Sequence, residues 1–231
     1  MKYLKITILF IVFPIYISAQ NVIDICKTHV EKLGGDKNVH NIENIYIEQT
    51  IYSNNGEIPQ TTIVIPGKVY YQEVNFHSGK SIISVVDGKG WVINPYASTK
   101  PKDLSDKESA NYIINSNIFG PLYDYYVNGG KSLVKSITLK GEEKIDRDDC
   151  FKLEVIYKSE FTVYVYISKK SFMIRKSENK FGSMSYSDYK KVNKVMFPFS
   201  VEVANAMGVM LGEVINLKTN IKIDYARFSK P

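Results

Sequence analysis

The chain has 231 residues, of which 44% are hydrophobic and 23% charged, and a formal net charge of +6. Its cations are 27 lysines and only three arginines, Arg147, Arg175 and Arg227. Arginine's planar fork is the usual reader of phosphates and base edges, and these lysines are scattered, so nucleic-acid binding is excluded and a lysine-solvated β surface is expected.

Lys2 and Lys5 precede an apolar run from Ile6 to Ile17, followed by Ser18-Ala19-Gln20. A basic start, an apolar centre and a small residue at the exit make a secretory signal. The run is broken by Pro14 and falls short of the roughly 20 apolar residues that a membrane span needs. Cleavage is expected after Ala19, leaving residues 20–231 as one domain with a net charge of +4. A lipid-modified start would need cysteine at the cleavage point. The first cysteine, Cys26, follows Ile23-Asp24-Ile25 instead. The expected product is a soluble, monomeric protein of the periplasm.

Val22, Ile25, Cys26, His29, Val30 and Leu33 fall on one helical stripe, with Asn21 as N-cap and Gly34-Gly35 as terminator. From Ile42 the period changes to two. Strands are expected over 43–53, 58–65, 68–76, 81–87 and 90–94, joined by short glycine-bearing turns as an antiparallel meander. Ser105 and Glu108 form a capping box that starts a helix through about Asn115. A second helical or irregular stretch runs from Gly120 to Asn128, closed by Gly129-Gly130. Strands then resume over 132–145, 149–157, 160–168, 172–180, 183–191, 196–204, 209–217 and 218–227. Pro198 would break a central ladder unless it starts a strand or lies at an edge. The expected fold is α+β, mainly β: a strongly curved antiparallel sheet forming an incomplete β-barrel covered by a helical lid.

Chemistry-bearing motifs are missing. The three histidines, His29, His40 and His77, fall on a helix, a loop and a turn, and His29 on its apolar stripe reads as a packed side chain. There is no nucleophile elbow, P-loop, dinucleotide fingerprint, C-x-x-C or H-E-x-x-H. Asp146-Arg147-Asp148-Asp149 lacks the glycine and closing glutamate of an EF-hand and reads as a hairpin turn. No catalytic residue, metal or cofactor is therefore expected. Export permits a Cys26–Cys150 disulfide, but buried free thiols are the preferred reading. What the chain has in excess is aromatic surface: 17 tyrosines, 11 phenylalanines and Trp91. Tyrosine suits an apolar site with a wet rim, although β-propensity alone also favours it.

Several segments, taken in order, resemble the periplasmic outer-membrane lipoprotein-sorting proteins of the LolA-like superfamily. They are Asp87-Gly88-Lys89-Gly90-Trp91-Val92-Ile93-Asn94-Pro95, Leu104-Ser105-Asp106-Lys107-Glu108, Gly120-Pro121-Leu122-Tyr123-Asp124-Tyr125 and Gly141-Glu142-Glu143. Ser187-Asp188-Tyr189-Lys190-Lys191, Phe197-Pro198-Phe199 and Phe228-Ser229-Lys230-Pro231 complete the series. The resemblance implies a half-barrel with a helical lid and a hydrophobic cavity for lipoprotein acyl chains or lipid, with envelope membrane proteins as further partners. Trp91, Ile93, Phe119, Tyr123 and Tyr126 are the candidate cavity or lid residues, with Phe161, Val163, Phe197 and Phe199 on the sheet. The well-studied carriers latch the lid with a buried arginine on an early strand. Residues 43–94 contain no arginine, and Arg175, on a later strand, is not assigned that role. The alternative is a non-catalytic envelope interaction module with a filled core.

Overall fold

The computed structural model describes residues 21–54, 56–206 and 208–231. The signal expected over Met1–Ala19, with its cleavage point, lies outside them. Helix α1 (Val22–Leu33) starts where the Asn21 side chain accepts from the Ile23 amide at 3.1 Å. It ends at Gly34, whose φ is +146° and where a Cβ would stand 2.6 Å from the Lys194 carbonyl oxygen. Only glycine lets the helix end approach that turn so closely. A short helix α2 (Asp36–His40), which the sequence pattern did not suggest, follows at once.

The meander is present as β1 (Ile45–Ser53), β2 (Gly56–Ile65), β3 (Val69–Phe76), β4 (Gly79–Val86) and β5 (Lys89–Asn94). A sixth strand, β6 (Ser98–Asp103), was not expected. Its sequence, Ser-Thr-Lys-Pro-Lys-Asp, has no apolar alternation, because it is an edge strand with one neighbour. Proline and lysine are what edges use to block further pairing. Helix α3 (Asp106–Asn115) begins at the expected capping box, with both the Ser105 and Glu108 halves made. Helix α4 (Gly120–Asn128) then leads to β7 (Val134–Ile145), β8 (Asp148–Tyr157), β9 (Thr162–Ser168), β10 (Ile174–Asn179), β11 (Gly182–Val192), β12 (Val195–Asn205) and β13 (Gly208–Thr219).

All thirteen strands form one antiparallel sheet in the order β6-β5-β4-β3-β2-β1-β13-β12-β11-β10-β9-β8-β7. Pairing of β1 with β13 joins two meanders at the centre and leaves β6 and β7 as open edges, so the barrel is incomplete. Helices α3 and α4 lie in sequence between those edges and cross the gap. Curvature follows from packing. Helix α1 touches both β7 and β12, five strand intervals apart in the sheet. In a flat sheet that distance is about 24 Å, while a 12-residue helix is only about 18 Å long.

Pro198 lies inside β12, opposite Tyr189 of β11. The β12–β13 ladder begins only at Ser200, so the proline occupies a stretch with one ladder, where no amide hydrogen is needed.

The strand expected over 218–227 is not formed. β13 ends at Thr219, and Asn220 turns the chain away with φ +56°. Asn44 holds the backbone of Ile221 from both sides, at 2.9 and 3.0 Å. Both flanks of β1 are already paired, so the tail has no strand to join. It crosses the outer face of β3–β5 instead and ends in a single 3-10 turn, Tyr225–Phe228. Cys26 and Cys150 are separate buried free thiols. Burial pushes Cys26 up to about 12 and Cys150 to about 11.

Candidate functional site

The curved sheet has a helix-facing inner side and a solvent-facing outer side, and charge divides between them. Inner positions of β1 and β2 are Ile45, Ile47, Gln49, Ile51, Ile58, Gln60, Thr62 and Val64, matched across the register. Val195, Phe197, Phe199, Val201 and Val203 of β12 and Met210, Gly212 and Val214 of β13 continue that face. None of these side chains is charged. Alternate, outer positions carry Glu48, Glu57, Glu202 and Glu213, which is what period-two alternation produces when one face meets water.

Helices fill the inner side at one end. Ile25 and Cys26 of α1 and Leu122 of α4 pack with Phe151, Leu153, Val155, Val163, Val165 and Ile167. Val30 and Leu33 of α1 join Phe119, Tyr123, Ile45, Val195, Phe197 and Leu217 in a second cluster. Ring centroids are 5.4 Å apart for Phe119–Tyr123 and 6.1 Å for Phe119–Phe197. Helix α3 covers the other limb, where Tyr112 stacks on Tyr70 at 5.9 Å.

Two polar devices fix α4. The Tyr123 hydroxyl donates to Asp36 Oδ1 at 3.2 Å, tying α4 to α2. The buried Asp124 accepts from Asn128 Nδ2 (2.7 Å), Ser132 Oγ (2.7 Å) and the Leu133 amide (2.8 Å), fixing the exit from α4 into β7.

Toward the other end the helices stop and the inner face opens. Ile51, Ile58, Val74, Tyr186, Val201, Val203 and Met210 are only partly buried there, and Met184 is exposed. Polar groups on this floor are neutral and partly paired with one another. Gln60 Nε2 donates to Thr62 Oγ1 at 3.2 Å, and Gln72 Nε2 to the Tyr70 hydroxyl at 3.0 Å. Two open hollows lie off this floor. One of about 690 Å3 lies at the β8–β9 and β10–β11 turns, lined by Phe161 and Lys180 and by the outer row Tyr164, Glu178, Ser183 and Ala204, and one of about 450 Å3 is lined by Asp146, Arg147, Ser168 and Arg175.

The structure divides the residues singled out from the sequence. Phe119, Tyr123 and Phe197 meet in the helical plug, with Phe199 packed against it. Phe161 and Val163 belong to the neighbouring cluster on the same face. Tyr126 is exposed on α4. Trp91 and Ile93 lie on the outer face. Trp91 Nε1 donates to the Phe228 carbonyl at 3.0 Å, and Ile93 pairs with Ile82 beneath the C-terminal tail. The open floor of Ile51, Ile58, Met184 and Met210 was missed. The alternation Phe197, Phe199, Val201, Val203 already pointed along it, but only the register of β12 on β13 shows where the helices end.

His29 is buried between α1 and its surroundings, with Nδ1 2.7 Å from the Phe172 carbonyl oxygen. That contact places the neutral imidazole's proton on Nδ1 and leaves Nε2 buried without a hydrogen-bond partner. Burial holds its pKa below the ordinary 6.5, opposed by the backbone carbonyls of Phe172 and Phe119. Below pH 6.5 the unfolded chain takes up this proton before the folded one does. The stability tied to neutral His29 is thus present above about pH 6.5 and is lost as pH falls. Melting temperature should therefore drop between pH 7 and 5, and His29→Gln should flatten part of that drop. An equal drop in both proteins would show that the imidazole is not its source. His40 and His77 lie elsewhere, at the end of α2 and in the β3–β4 turn. Among the described residues, no group of three or more His, Cys, Asp or Glu could hold a metal ion.

Neither a family model nor a curated protein matches the sequence. Solved structures do match in shape. A LolA superfamily protein from Nitrosomonas europaea aligns with TM-score 0.57 and 13% identity, over 89% of this chain and 96% of that one. The fold is LolA-like. A putative outer membrane lipoprotein-sorting protein domain from Vibrio parahaemolyticus gives 0.54 and 14%, over 91% and 98%. A DUF1329 family protein from Desulfovibrio piger gives 0.57 and 15%, over 90% and 95%. The LolA-like half-barrel therefore spans nearly the whole described chain. No helix among the described residues is long and apolar enough to cross a membrane.

Proposed function

We propose that this protein is a non-catalytic periplasmic carrier or binding protein for lipid or lipoprotein acyl chains, held on the open end of the concave face. One observation carries the reading: an uncharged inner floor, continuous across β2, β1, β13 and β12, plugged by helices at one end and uncovered at the other. An acyl chain needs no catalytic group for capture. Ten buried methylenes supply about 8 kcal/mol, against an association cost of about 4–15 kcal/mol, so contact along the whole floor is required. The export signal read in the sequence and the lipoprotein-sorting description of the Vibrio neighbour support this setting.

The arginine latch that the resemblance implies does not carry over to this chain. No arginine lies on β1–β5. Here α4 is held instead by the Tyr123–Asp36 bond to α2 and by the three donors on Asp124 at the entry to β7. A second reading, a filled-core interaction module, draws on the helical plug and on the larger hollow lying at the β8–β9 and β10–β11 turns and not over the open floor.

Titration with a fluorescent long-chain fatty acid separates the two. Met210→Lys places an ammonium on the floor and should weaken binding at least tenfold, about 1.4 kcal/mol. Glu213→Lys, on the outer face of the same strand, should leave it unchanged. Equal loss in both variants, or no binding by the wild type, would remove the carrier reading.

A further inference from the structure

The exposed apolar side chains are unevenly placed. In an antiparallel sheet the hairpin turns alternate between two ends, and pairing of Tyr52 with Leu211 puts the β12–β13 turn beside the β1–β2 turn. One end therefore carries the β1–β2, β3–β4, β5–β6, β8–β9, β10–β11 and β12–β13 turns and the entry to β7. It is also the end where the concave floor is uncovered. Ten large hydrophobic side chains are exposed among the described residues, and six sit on this rim: Tyr52, Tyr96, Leu133, Phe181, Met184 and Val209. Tyr96 and Phe181 occupy turns and are 70% and 67% exposed, and Val209, next to the β12–β13 turn, is 56% exposed. Turns at the opposite end carry Pro66-Gly67-Lys68, Asp87-Gly88, Asp146-Arg147 and Asn193-Lys194, and contribute none of the ten.

Charge on the rim has a sign. Lys131, Lys158 and Lys180 are exposed there, and the Lys180 ammonium lies 4.9 Å from the centre of the Phe181 ring. Glu160 is engaged by Lys135 at 2.8 Å, which leaves Glu57 as the other acid in these turns. Aromatic side chains on protruding tips, interleaved with lysines, match the chemistry of a bilayer interface. Rings settle at headgroup depth, and ammonium groups meet anionic headgroups. Phe181 lies on the limb that ends in β7, Tyr96 on the limb that ends in β6, and Val209 between them. Contact is therefore spread along the mouth instead of resting on one loop.

We propose that this rim docks the protein, mouth first, on the surface of an anionic lipid bilayer. The surface stands on exposure and charge alone and does not require that the floor hold cargo. Purified protein is mixed with vesicles of phosphatidylcholine, or of phosphatidylcholine and phosphatidylglycerol in equal parts, and sedimented. Wild type should partition onto the anionic vesicles, with the bound fraction falling as salt rises. Tyr96→Ser with Phe181→Ser should reduce partitioning at least tenfold while leaving the melting temperature unchanged, since both side chains are exposed. Lys131→Glu, Lys158→Glu and Lys180→Glu together should abolish the preference for anionic vesicles. As an independent readout, Phe181→Trp should show a blue shift in emission on vesicle addition, because the native Trp91 is buried. Absence of wild-type binding, or binding indifferent to the aromatic pair, overturns the proposal.

Discussion

Phe228→Ala is expected to lower the unfolding free energy by about 3–5 kcal/mol. The ring is buried on the outer face of β3–β5, with its centroid 5.6 Å from that of Tyr71 and 5.7 Å from that of Tyr225. Its backbone carbonyl accepts from Trp91 Nε1 at 3.0 Å and Ser84 Oγ at 2.8 Å. Truncation removes the anchor that holds this carbonyl in place. The tail would then release two buried donors as well as a cavity's worth of contact, and an unsatisfied buried donor costs about 1–3 kcal/mol. Asn44 still holds the Ile221 backbone, Ile223 packs against the outer cluster and Arg227 reaches the mostly buried Glu73 at 3.7 Å, while the Lys230–Asp103 pair at 2.8 Å is exposed. Exposed pairs of this kind contribute about 0–1 kcal/mol each. At roughly 2–4 °C per kcal/mol for a domain of this size, the melting temperature should fall by roughly 6–20 °C. Tyr225→Ala, on the same turn but 60% exposed, should cost no more than about 1 kcal/mol. Comparable losses in the two variants would mean that the tail is not held by the Phe228 ring.

Leu122→Ala should cost about 2–5 kcal/mol, and its effect should be concentrated in the lid. Leu122 is fully buried and carries α4 into the cluster formed by α1 with β7, β8 and β9. A Leu153→Ala change removes a side chain of the same size from the sheet side of that cluster, so the two should cost similar amounts globally. They should differ locally. Amide exchange in α4 and α1 should accelerate more in the Leu122 variant, because the helices are held to the sheet by side chains while β8 is also held by two ladders. Uniform acceleration across sheet and helices in both variants would show that the lid has no separate opening mode.

Much of this architecture was legible in local chemistry. The Asn21 cap, the Ser105–Glu108 box and the glycine-bearing turns name their own structures, because each satisfies backbone groups within a few residues. Strand β6 was not legible, since an edge strand of Lys, Pro and Thr lacks the alternation that marks a half-buried strand. The tail misled for the opposite reason. Ile221 and Ile223 alternate with Lys222 and Asp224 like a strand, and Ile223 does pack against the outer cluster, but both flanks of β1 beside them are already paired.

The candidate site shows the same division. Phe119, Tyr123, Phe197 and Phe199, singled out as large aromatics, do lie together, but in the packed plug beside the open floor. Trp91 and Ile93 stood out equally and lie on the other face, because a strand's inward parity depends on register with a neighbour and not on residue size. The open floor at Ile51, Val201 and Met210 has no compositional mark at all. It is defined by where the helices stop.

The most direct test is native mass spectrometry of protein released from cell envelopes without detergent. The carrier reading predicts a mass excess equal to one or a few acyl-chain lipids, diminished in the Met210→Lys variant and retained in Glu213→Lys. A bare polypeptide mass in all three proteins would contradict it.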